Sequence, residues 1–171
     1  HLLGIINDIL DMSRIESGRM ALRDEEFSFR DLLDQINVMI NGQCVDKGLN
    51  YECHIIGHIR DYYIGDDMKL KQVLINILSN AVKYTHEGRV VFEGNVIDKT
   101  DDTVKIQFKV TDTGIGIKKQ DIGKLFQAFQ QVDSKRNRNI EGTGLGLSIT
   151  KQLLVLMNGD ITLESEYGKG S

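Results

Sequence analysis

The sequence contains no proline, and only two of its 171 residues are cysteines. Cys44 and Cys53 are too few for a disulfide framework, and no group of cysteines and histidines has the spacing of a zinc site. We therefore expect a reducing, cytoplasmic setting. The absence of proline also excludes every motif that depends on that residue.

Long apolar runs and a dominant basic charge are missing as well. No run is long enough to cross a membrane, and we expect no signal peptide. The formal net charge is −4, and no basic face dominates, so nucleic acid is not an expected partner. The length suits one domain with a hydrophobic core and an appendage. The chain opens inside an apparent helix without an initiator methionine, so we expect a fragment.

The stretch Lys69–Thr85 predicts a buried helix with an unusual polar stripe. Apolar residues recur at helical spacing at Leu70, Leu74, Ile77, Leu78 and Ala81. The opposite stripe consists of Lys69, Gln72, Asn76, Asn80 and Lys83. A solvated stripe usually carries Glu and Lys, and asparagine lowers helix stability. The stripe is therefore either plain surface or a site for an anionic, Mg²⁺-bearing ligand, with amide oxygens on the metal and a lysine near phosphate.

The remaining chain predicts an α+β fold, a two-layer sandwich with antiparallel strands and helices on one face. Predicted helices cover residues 1–20, ending near Gly18, then Phe29–Lys47, between an N-cap at Ser28 and Gly48, and Leu145–Met157. Predicted strands are a short piece at Phe27, then Leu49–Ile56, Asp61–Ile64, Arg89–Ile97, Thr103–Thr111 and Asp160–Ser165. The polar, glycine-punctuated segment of residues 114–142 is typical of a functional lid.

Two glycine-rich boxes flank this segment. DTGIGI, at Asp112–Ile117, is either a turn that ends a strand or a surface where bare backbone meets a planar ligand. A carboxylate only accepts hydrogen bonds, so Asp112 suits the exocyclic amine of adenine and rejects the carbonyl of guanine. GTGLGL, at Gly142–Leu147, opens a helix, and its amides form an anion site. A dinucleotide fingerprint is excluded because a polar loop, not a strand, precedes this box.

Four motifs, in this order, resemble the ATP-binding catalytic domain of sensor histidine kinases, in the superfamily of gyrase-, Hsp90- and MutL-type ATPases. LINILSNAVKYT resembles the N box, DTGIGI the first glycine box, LFQAFQQVD the F box and GTGLGLSI the second glycine box. The resemblance covers about Phe27–Ser171. HLLGIINDILDMSRIESGRM, at residues 1–20, resembles the second helix of the dimerisation and phosphoacceptor hairpin. We expect residues 1–22 to be a remnant of that hairpin and residues 23–171 to be the catalytic domain.

The resemblance implies a Bergerat-type sandwich with a mixed sheet, an added N-terminal helix, and ATP or ADP with Mg²⁺ under the lid. It assigns Asp112 to adenine, Asn76 and Asn80 to Mg²⁺ and phosphate, and Lys83 and Tyr84 to phosphate or ribose. Arg138 would meet the γ-phosphate, which makes Asn80, Lys83 and Arg138 the implied catalytic residues, while Phe126 and Phe129 would anchor the lid. The other implied nucleotide-binding residues are Gly114, Gly116, Ile117, Gly142, Thr143, Gly144, Leu145, Gly146 and Leu147.

The implied reaction transfers the γ-phosphate of ATP to a histidine on the dimerisation domain, for relay to an aspartate on the receiver domain of a response regulator. The implied setting is a homodimer whose cytoplasmic domain belongs to a membrane-anchored bacterial sensor. The sequence departs from the family pattern at Lys69, where Arg is usual, and at Glu141, where Gly is frequent. It also ends where the family usually adds a further strand, so we expect an unpaired sheet edge.

The resemblance leaves two alternatives to a kinase, a hydrolase of the same superfamily and a nucleotide-binding signalling module without kinase activity. The hydrolases use a Glu four residues before the Mg²⁺-binding Asn, and here that position is Asn76, which cannot take a proton from water. Phosphoryl transfer is therefore favoured. The acceptor motif, H-E-x-R-T-P, needs a proline and cannot be present. We reject four histidines as acceptors: His1, His54, His58 and His86. We expect nucleotide binding with negligible autophosphorylation.

Overall fold

The computed structural model describes residues 2–57, 59–128 and 144–171. Its helices are α1 (Leu2–Glu16), α2 (Phe29–Lys47), α3 (Asp67–Tyr84), α4 (Lys119–Ile122) and α5 (Gly146–Leu156). Its strands are β1 (Glu25–Ser28), β2 (Asn50–Ile56), β3 (Tyr62–Gly65), β4 (Arg89–Lys99) and β5 (Val104–Asp112). No helix in this described part of the chain is long and apolar enough to cross a membrane.

Side-chain and glycine caps set the ends of the two central helices. Ser28 Oγ accepts a hydrogen bond from the Asp31 N–H at 3.2 Å, and Gly48, with φ of 70°, ends α2 as predicted. Helix α3 begins at Asp67, two residues before the predicted start. The reason is that the Asp66 carboxylate accepts the N–H of Lys69 at 2.9 Å and so caps the first turn.

The strands form two sheets. In the larger sheet, β2 pairs parallel with β4 and β4 pairs antiparallel with β5, while β1 and β3 form a separate antiparallel pair. The predicted mixed sheet is confirmed, but the expectation of antiparallel runs is wrong for β2 and β4. The chain runs through β3 and α3 between these two strands, and a crossover of that length is what parallel pairing requires.

The main core lies between the larger sheet and helices α2 and α3. Buried side chains in this core include Phe29, Leu32, Ile36, Ile40, Leu74, Leu78, Val90 and Phe92. In β4, the buried residues alternate with less buried ones, so one face of the sheet meets the helices. The rings of Phe92 and Phe108 stack with centroids 5.9 Å apart. The two-layer sandwich is therefore confirmed.

A second, smaller core joins α1, α3 and α5. Its buried residues are Val73, Leu145, Ile149 and Leu153, and Met12 and Ile15 of α1 pack against them. The predicted helices in these regions are confirmed, although α1 ends at Glu16 rather than near Gly18. Helix α1 thus lies directly against the two helices that carry the asparagine stripe and the second glycine box.

The strand predicted at Asp160–Ser165 is wrong. Side-chain exposure does alternate along 161–165, but no regular ladder forms there. Pairing occurs instead in the tight turn that follows, where Glu166 bridges Gly170 and Ser171 exchanges two backbone hydrogen bonds with Asp112, of 2.9 and 3.3 Å. Among the described residues, the outer edge of β5 therefore pairs with this segment at Asp112 alone, and the rest of the edge is unpaired.

Candidate functional site

The polar stripe of α3 serves two different purposes along its length. At the N-terminal end, Lys69 Nζ lies 3.3 Å from Asp11 Oδ2, and Gln72 Nε2 donates to the same oxygen at 2.8 Å. The Lys69 and Asp11 side chains are only 21% and 14% exposed. Lys69 and Gln72 therefore hold α1 against α3, whereas the predicted ligand residues Asn76, Asn80 and Lys83 lie farther along the stripe.

The middle of the stripe meets the second glycine box. Asn76 Nδ2 donates to Thr150 Oγ1 of α5 at 2.7 Å. A Cβ on Gly146 would overlap the Asn76 carboxamide oxygen, so glycine at this position leaves room for the Asn76 side chain between α3 and α5. The structure thus brings together the two motifs that the sequence separates by about seventy residues.

The described part of the second glycine box forms the start of α5. Gly144 precedes the helix in the left-handed region with φ of 71°, and α5 begins at Gly146. Leu145 is buried in the second core, and no side chain in the described ranges caps the helix. The first amides of α5, from Gly146 and Leu147 onward, therefore have no side-chain cap from the described residues, as an anion-binding helix N-terminus requires.

The C-terminal end of α3 carries Asn80, Lys83 and Tyr84, and all three are half-buried. Lys83 Nζ lies 5.2 Å from the centroid of the Tyr84 ring. Burial raises the pKa of the Tyr84 hydroxyl, so the neutral phenol is the form present. The Tyr84 carbonyl accepts the Ile115 N–H at 3.1 Å, which joins α3 to the first glycine box.

Asp112 and Gly114 meet this end of α3. Asp112 Oδ1 accepts the Gly114 N–H at 2.8 Å. Burial raises the pKa of the Asp112 carboxyl, while backbone hydrogen bonds from Gly114 and Ser171 act in the opposite direction. A Cβ on Gly114 would lie 2.5 Å from the Tyr84 carbonyl oxygen. The first glycine box therefore packs so closely on α3 that a larger residue would displace it.

Sequence reasoning missed the turn that holds the first glycine box from its other side. Ser165 Oγ accepts the Ile117 N–H at 2.8 Å, and the Gly168 N–H donates to the Ile115 carbonyl at 2.8 Å. A Cβ on Gly116 would overlap the Glu166 carbonyl oxygen. The closely spaced glycines 168 and 170 are the signal that could have indicated a tight turn rather than a strand.

The remaining predicted residues belong in sequence to the segment predicted to be a lid or stand next to it. Phe126 packs against α5, where Lys151 Nζ lies 5.6 Å from its ring centroid. Phe129, Arg138, Gly142 and Thr143 lie outside the described residues. Of the rejected histidines, His54 lies in β2 with Nε2 3.1 Å from Glu52 Oε2, while His1 and His58 are likewise outside the described part.

Comparison with known proteins gives the family. The model of the histidine kinase-, DNA gyrase B- and HSP90-like ATPases matches residues 65–171. The chain is 41% identical to the sensor histidine kinase GacS of Pseudomonas protegens, over 99% of this chain and 18% of that protein. It is 39% identical to the signal transduction histidine-protein kinase BarA of Escherichia coli, over 100% of this chain and 19% of that protein.

A solved structure agrees with these sequence relatives. The full-length ShkA structure in complex with AMPPNP superposes with a TM-score of 0.82 at 29% identity, over 99% of this chain and 34% of that one. The chain spans only 18% and 19% of the length of GacS and BarA. Because the family model matches residues 65–171, the chain belongs to the family of histidine kinase-, DNA gyrase B- and HSP90-like ATPases.

Proposed function

We propose that the chain is the ATP-binding catalytic domain of a two-component sensor histidine kinase. It transfers the γ-phosphate of ATP to a histidine on a dimerisation domain, for relay to an aspartate on a response-regulator receiver domain. Residues 1–22, which include α1, are a remnant of the second helix of that dimerisation domain, and residues 23–171 are the nucleotide-binding domain. The working protein is a homodimer, and this part of it lies on the cytoplasmic side of a membrane-anchored sensor.

The observation that carries the proposal is the arrangement of Asp112 beside Gly114 and the end of α3. The Asp112 carboxylate accepts backbone N–H groups, that of Gly114 at 2.8 Å, and keeps further lone pairs, so it can accept the exocyclic amine of adenine. Close packing of Gly114 on the Tyr84 carbonyl leaves backbone, not side chain, at this position. A planar base can lie against such a surface, and guanine, which presents a carbonyl here, is rejected.

The residues along α3 and at the start of α5 fit a magnesium-bound triphosphate. Asn76 and Asn80 supply the amide oxygens that Mg²⁺ accepts as ligands, and the uncapped amides of α5 favour an anion. Lys83, Tyr84 and Arg138 are the side chains for phosphate and ribose. When bound, Mg²⁺ neutralises charge on the phosphates and so assists phosphoryl transfer.

The absence of a general base on the stripe favours transfer to histidine over hydrolysis. Position 76, where the hydrolases of the superfamily carry Glu, holds an asparagine whose side chain is bonded to Thr150 at 2.7 Å. An amide cannot accept a proton from water, so no residue on this stripe activates a water molecule. The domain then contributes positioning and charge, which supply most of the catalysis in phosphoryl transfer.

Calorimetric titration with Mg·ADP, Mg·ATP and Mg·GTP tests the nucleotide assignment. We expect both adenine nucleotides to bind and GTP to bind hardly at all. Asp112→Asn should weaken adenine nucleotides about tenfold to a hundredfold, because a hydrogen bond to a charged group is lost. Equal affinity for GTP, or an Asp112→Asn variant that binds as the wild type does, would contradict the assignment.

Phosphorylation of a supplied acceptor tests the reaction itself. A complete dimerisation hairpin provided on a separate chain should acquire acid-labile phosphohistidine when this chain and Mg·ATP are present. Asn80→Asp and Gly144→Ala should each abolish that label. Labelled phosphate on His1 of this chain alone would contradict the assignment of residues 1–22. Release of free phosphate as the main product would favour a hydrolase over a kinase.

A further inference from the structure

The ammonium group of Lys47, at the end of α2, lies against the C-terminal end of α3. Its Nζ donates to the carbonyls of Val82 at 2.8 Å, Lys83 at 2.9 Å and Thr85 at 3.1 Å. An ammonium has three N–H donors, so these three contacts use its full capacity. Neither the motifs nor the proposed function gives this residue a role.

Val82 and Lys83 belong to the last turn of α3, and Thr85 is its C-cap, whose N–H also donates to the Val82 carbonyl at 3.3 Å. The C-terminal end of a helix also carries partial negative charge, so a cation placed there is stabilising. Val82 and Thr85 are buried, with 3% and 0% exposure. Lys47 therefore fixes the last turn of α3 to the end of α2, across a sequence separation of 35 to 38 residues.

The turn that Lys47 holds is the one on which the first glycine box rests. The Tyr84 carbonyl, between two carbonyls bound by Lys47, accepts the Ile115 N–H at 3.1 Å. The Tyr84 oxygen and the Thr85 hydroxyl also lie 2.5 and 2.9 Å from the point where a Cβ on Gly114 would stand. A shift of this turn therefore moves the support of the glycine-box backbone.

We propose that Lys47 is a positioning residue for the nucleotide site. By holding the last turn of α3, it fixes the Tyr84 carbonyl and, through it, the backbone of Gly114 and Ile115 on which the base lies. The ammonium contacts protein carbonyls and not the nucleotide. The link to a nucleotide rests on the proposed function, whereas the effect on the glycine box does not.

A set of three variants tests this role. Lys47→Met keeps an apolar stem and removes the ammonium, and Lys47→Arg retains a cation. Lys71→Met is the matched control, because Lys71 also joins α3 to α2, donating to Gln35 Oε1 at 2.6 Å, but close to the opposite end of α3. The readouts are amide hydrogen exchange of Ile115 without nucleotide, exchange of Phe92 in the central strand, and the Kd for Mg·ADP.

We expect Lys47→Met to speed the exchange of Ile115 relative to Phe92 and to raise the Kd for Mg·ADP about three- to tenfold. Lys71→Met should change neither quantity, and Lys47→Arg should recover most of the loss. Parallel acceleration of Ile115 and Phe92 would mean general destabilisation and would overturn the proposal. So would a Kd change below about threefold.

The same measurements separate this inference from the proposed function. If the wild-type chain bound no adenine nucleotide, the proposed function would fail and a nucleotide role for Lys47 would fail with it. The exchange of Ile115 relative to Phe92 would still decide whether Lys47 holds the glycine box, since it is measured without any ligand. Tight wild-type binding with unchanged Ile115 exchange in Lys47→Met would overturn the inference alone.

Discussion

Two carboxylates at opposite ends of α3 have very different surroundings. Asp11, from α1, receives the Lys69 ammonium at 3.3 Å and the Gln72 amide at 2.8 Å. Asp112, beside the C-terminal end, accepts backbone amides, and burial raises its pKa. The charge of the Asp11 carboxylate is thus paired with that of Lys69, which is typical of a structural contact. The Asp112 carboxylate is partly buried and has no cation beside it among the described contacts. Such surroundings are typical of a carboxylate that binds a ligand.

The two ends of α3 differ in packing as well. At the N-terminal end, α1 adds side chains on top of the helix, and Met12 and Ile15 extend the smaller core. At the C-terminal end, contact is made by backbone, because the carbonyl of Tyr84 meets Gly114 directly. One helix thus serves as a docking surface at one end and as a wall of the candidate nucleotide site at the other. Variants at matched positions can test this division.

The largest effect should come from Gly114→Ala. The added Cβ would lie 2.5 Å from the Tyr84 oxygen and 2.8 Å from Asp112 Oδ1, so the glycine box must move. We expect a loss of about 1–3 kcal/mol in the free energy of unfolding and no measurable binding of Mg·ADP. Gly123→Ala is the control, because a Cβ there meets nothing within 4 Å. Wild-type nucleotide affinity in Gly114→Ala would show that the backbone of this box is not the binding surface.

A comparison of Asn80→Ala with Gln72→Ala should give the next largest effect. Both variants truncate a side-chain amide on the same stripe of the same helix. We expect Asn80→Ala to weaken Mg·ADP about tenfold to a hundredfold, as for a lost contact with a charged group, and Gln72→Ala to change it less than about twofold. Gln72→Ala should instead speed amide exchange in α1. Similar nucleotide affinities for the two variants would contradict the proposal that only the C-terminal end of α3 binds nucleotide.

Sequence reasoning succeeded where the signal is local and failed where distant residues compete. The Ser28 cap and the Gly48 end of α2 could be predicted because each depends on a few adjacent residues. The division of the α3 stripe could not be predicted, because Asp11 lies 58 residues before Lys69 and no local pattern indicates their contact. Alternation at 161–165 predicted a strand, but strand pairing depends on a partner edge that the pattern does not identify.

The same distinction applies to the candidate site. The spacing of DTGIGI predicted bare backbone against a planar ligand, and that contact stays a prediction, since the structure shows Gly114 packed on the Tyr84 carbonyl. Sequence reasoning missed the contacts of Ser165 and Gly168 with the first glycine box and those of Lys47 with the end of α3. These residues bind the backbone of other segments and belong to no motif. Motif residues can be found from the sequence alone. The residues that support a motif from a distant segment can be identified only from the three-dimensional structure.

A double-mutant cycle of Asp11→Ala and Lys69→Met should give a moderate effect. The pair is largely buried and the same carboxylate also accepts the Gln72 amide, so we expect each single variant to lose about 1–3 kcal/mol in the free energy of unfolding. The losses should not add, since either change removes the same contact. Chemical denaturation of the four proteins measures the coupling. Additive losses would mean that the contact between Asp11 and Lys69 contributes nothing to stability.

The smallest expected effect comes from Asp112→Asn in the absence of nucleotide. Unlike the destabilising variants above, it should raise the stability of the folded protein. Burial raises the pKa of Asp112 above its ordinary value of 3.8, so the folded protein binds this proton more tightly than the unfolded chain does. Stability contributed by this group is therefore full below pH 3.8 and falls as the pH rises through the raised pKa. Asparagine keeps an oxygen for the Gly114 N–H but carries no charge.

Asp112→Asn should consequently raise the thermal unfolding midpoint at neutral pH by about 1–3 °C, and the gain should vanish as the pH falls toward the ordinary carboxyl range. Asp11→Asn, in the same assay, should lower the midpoint, because it removes the charge that Lys69 neutralises. Thermal scans across the acid range measure both curves. A higher midpoint for Asp112→Asn would mean that the Asp112 charge destabilises the fold, as expected for a carboxylate whose role is to bind a ligand. Equal losses from the two variants would instead show that Asp112 stabilises the fold as Asp11 does.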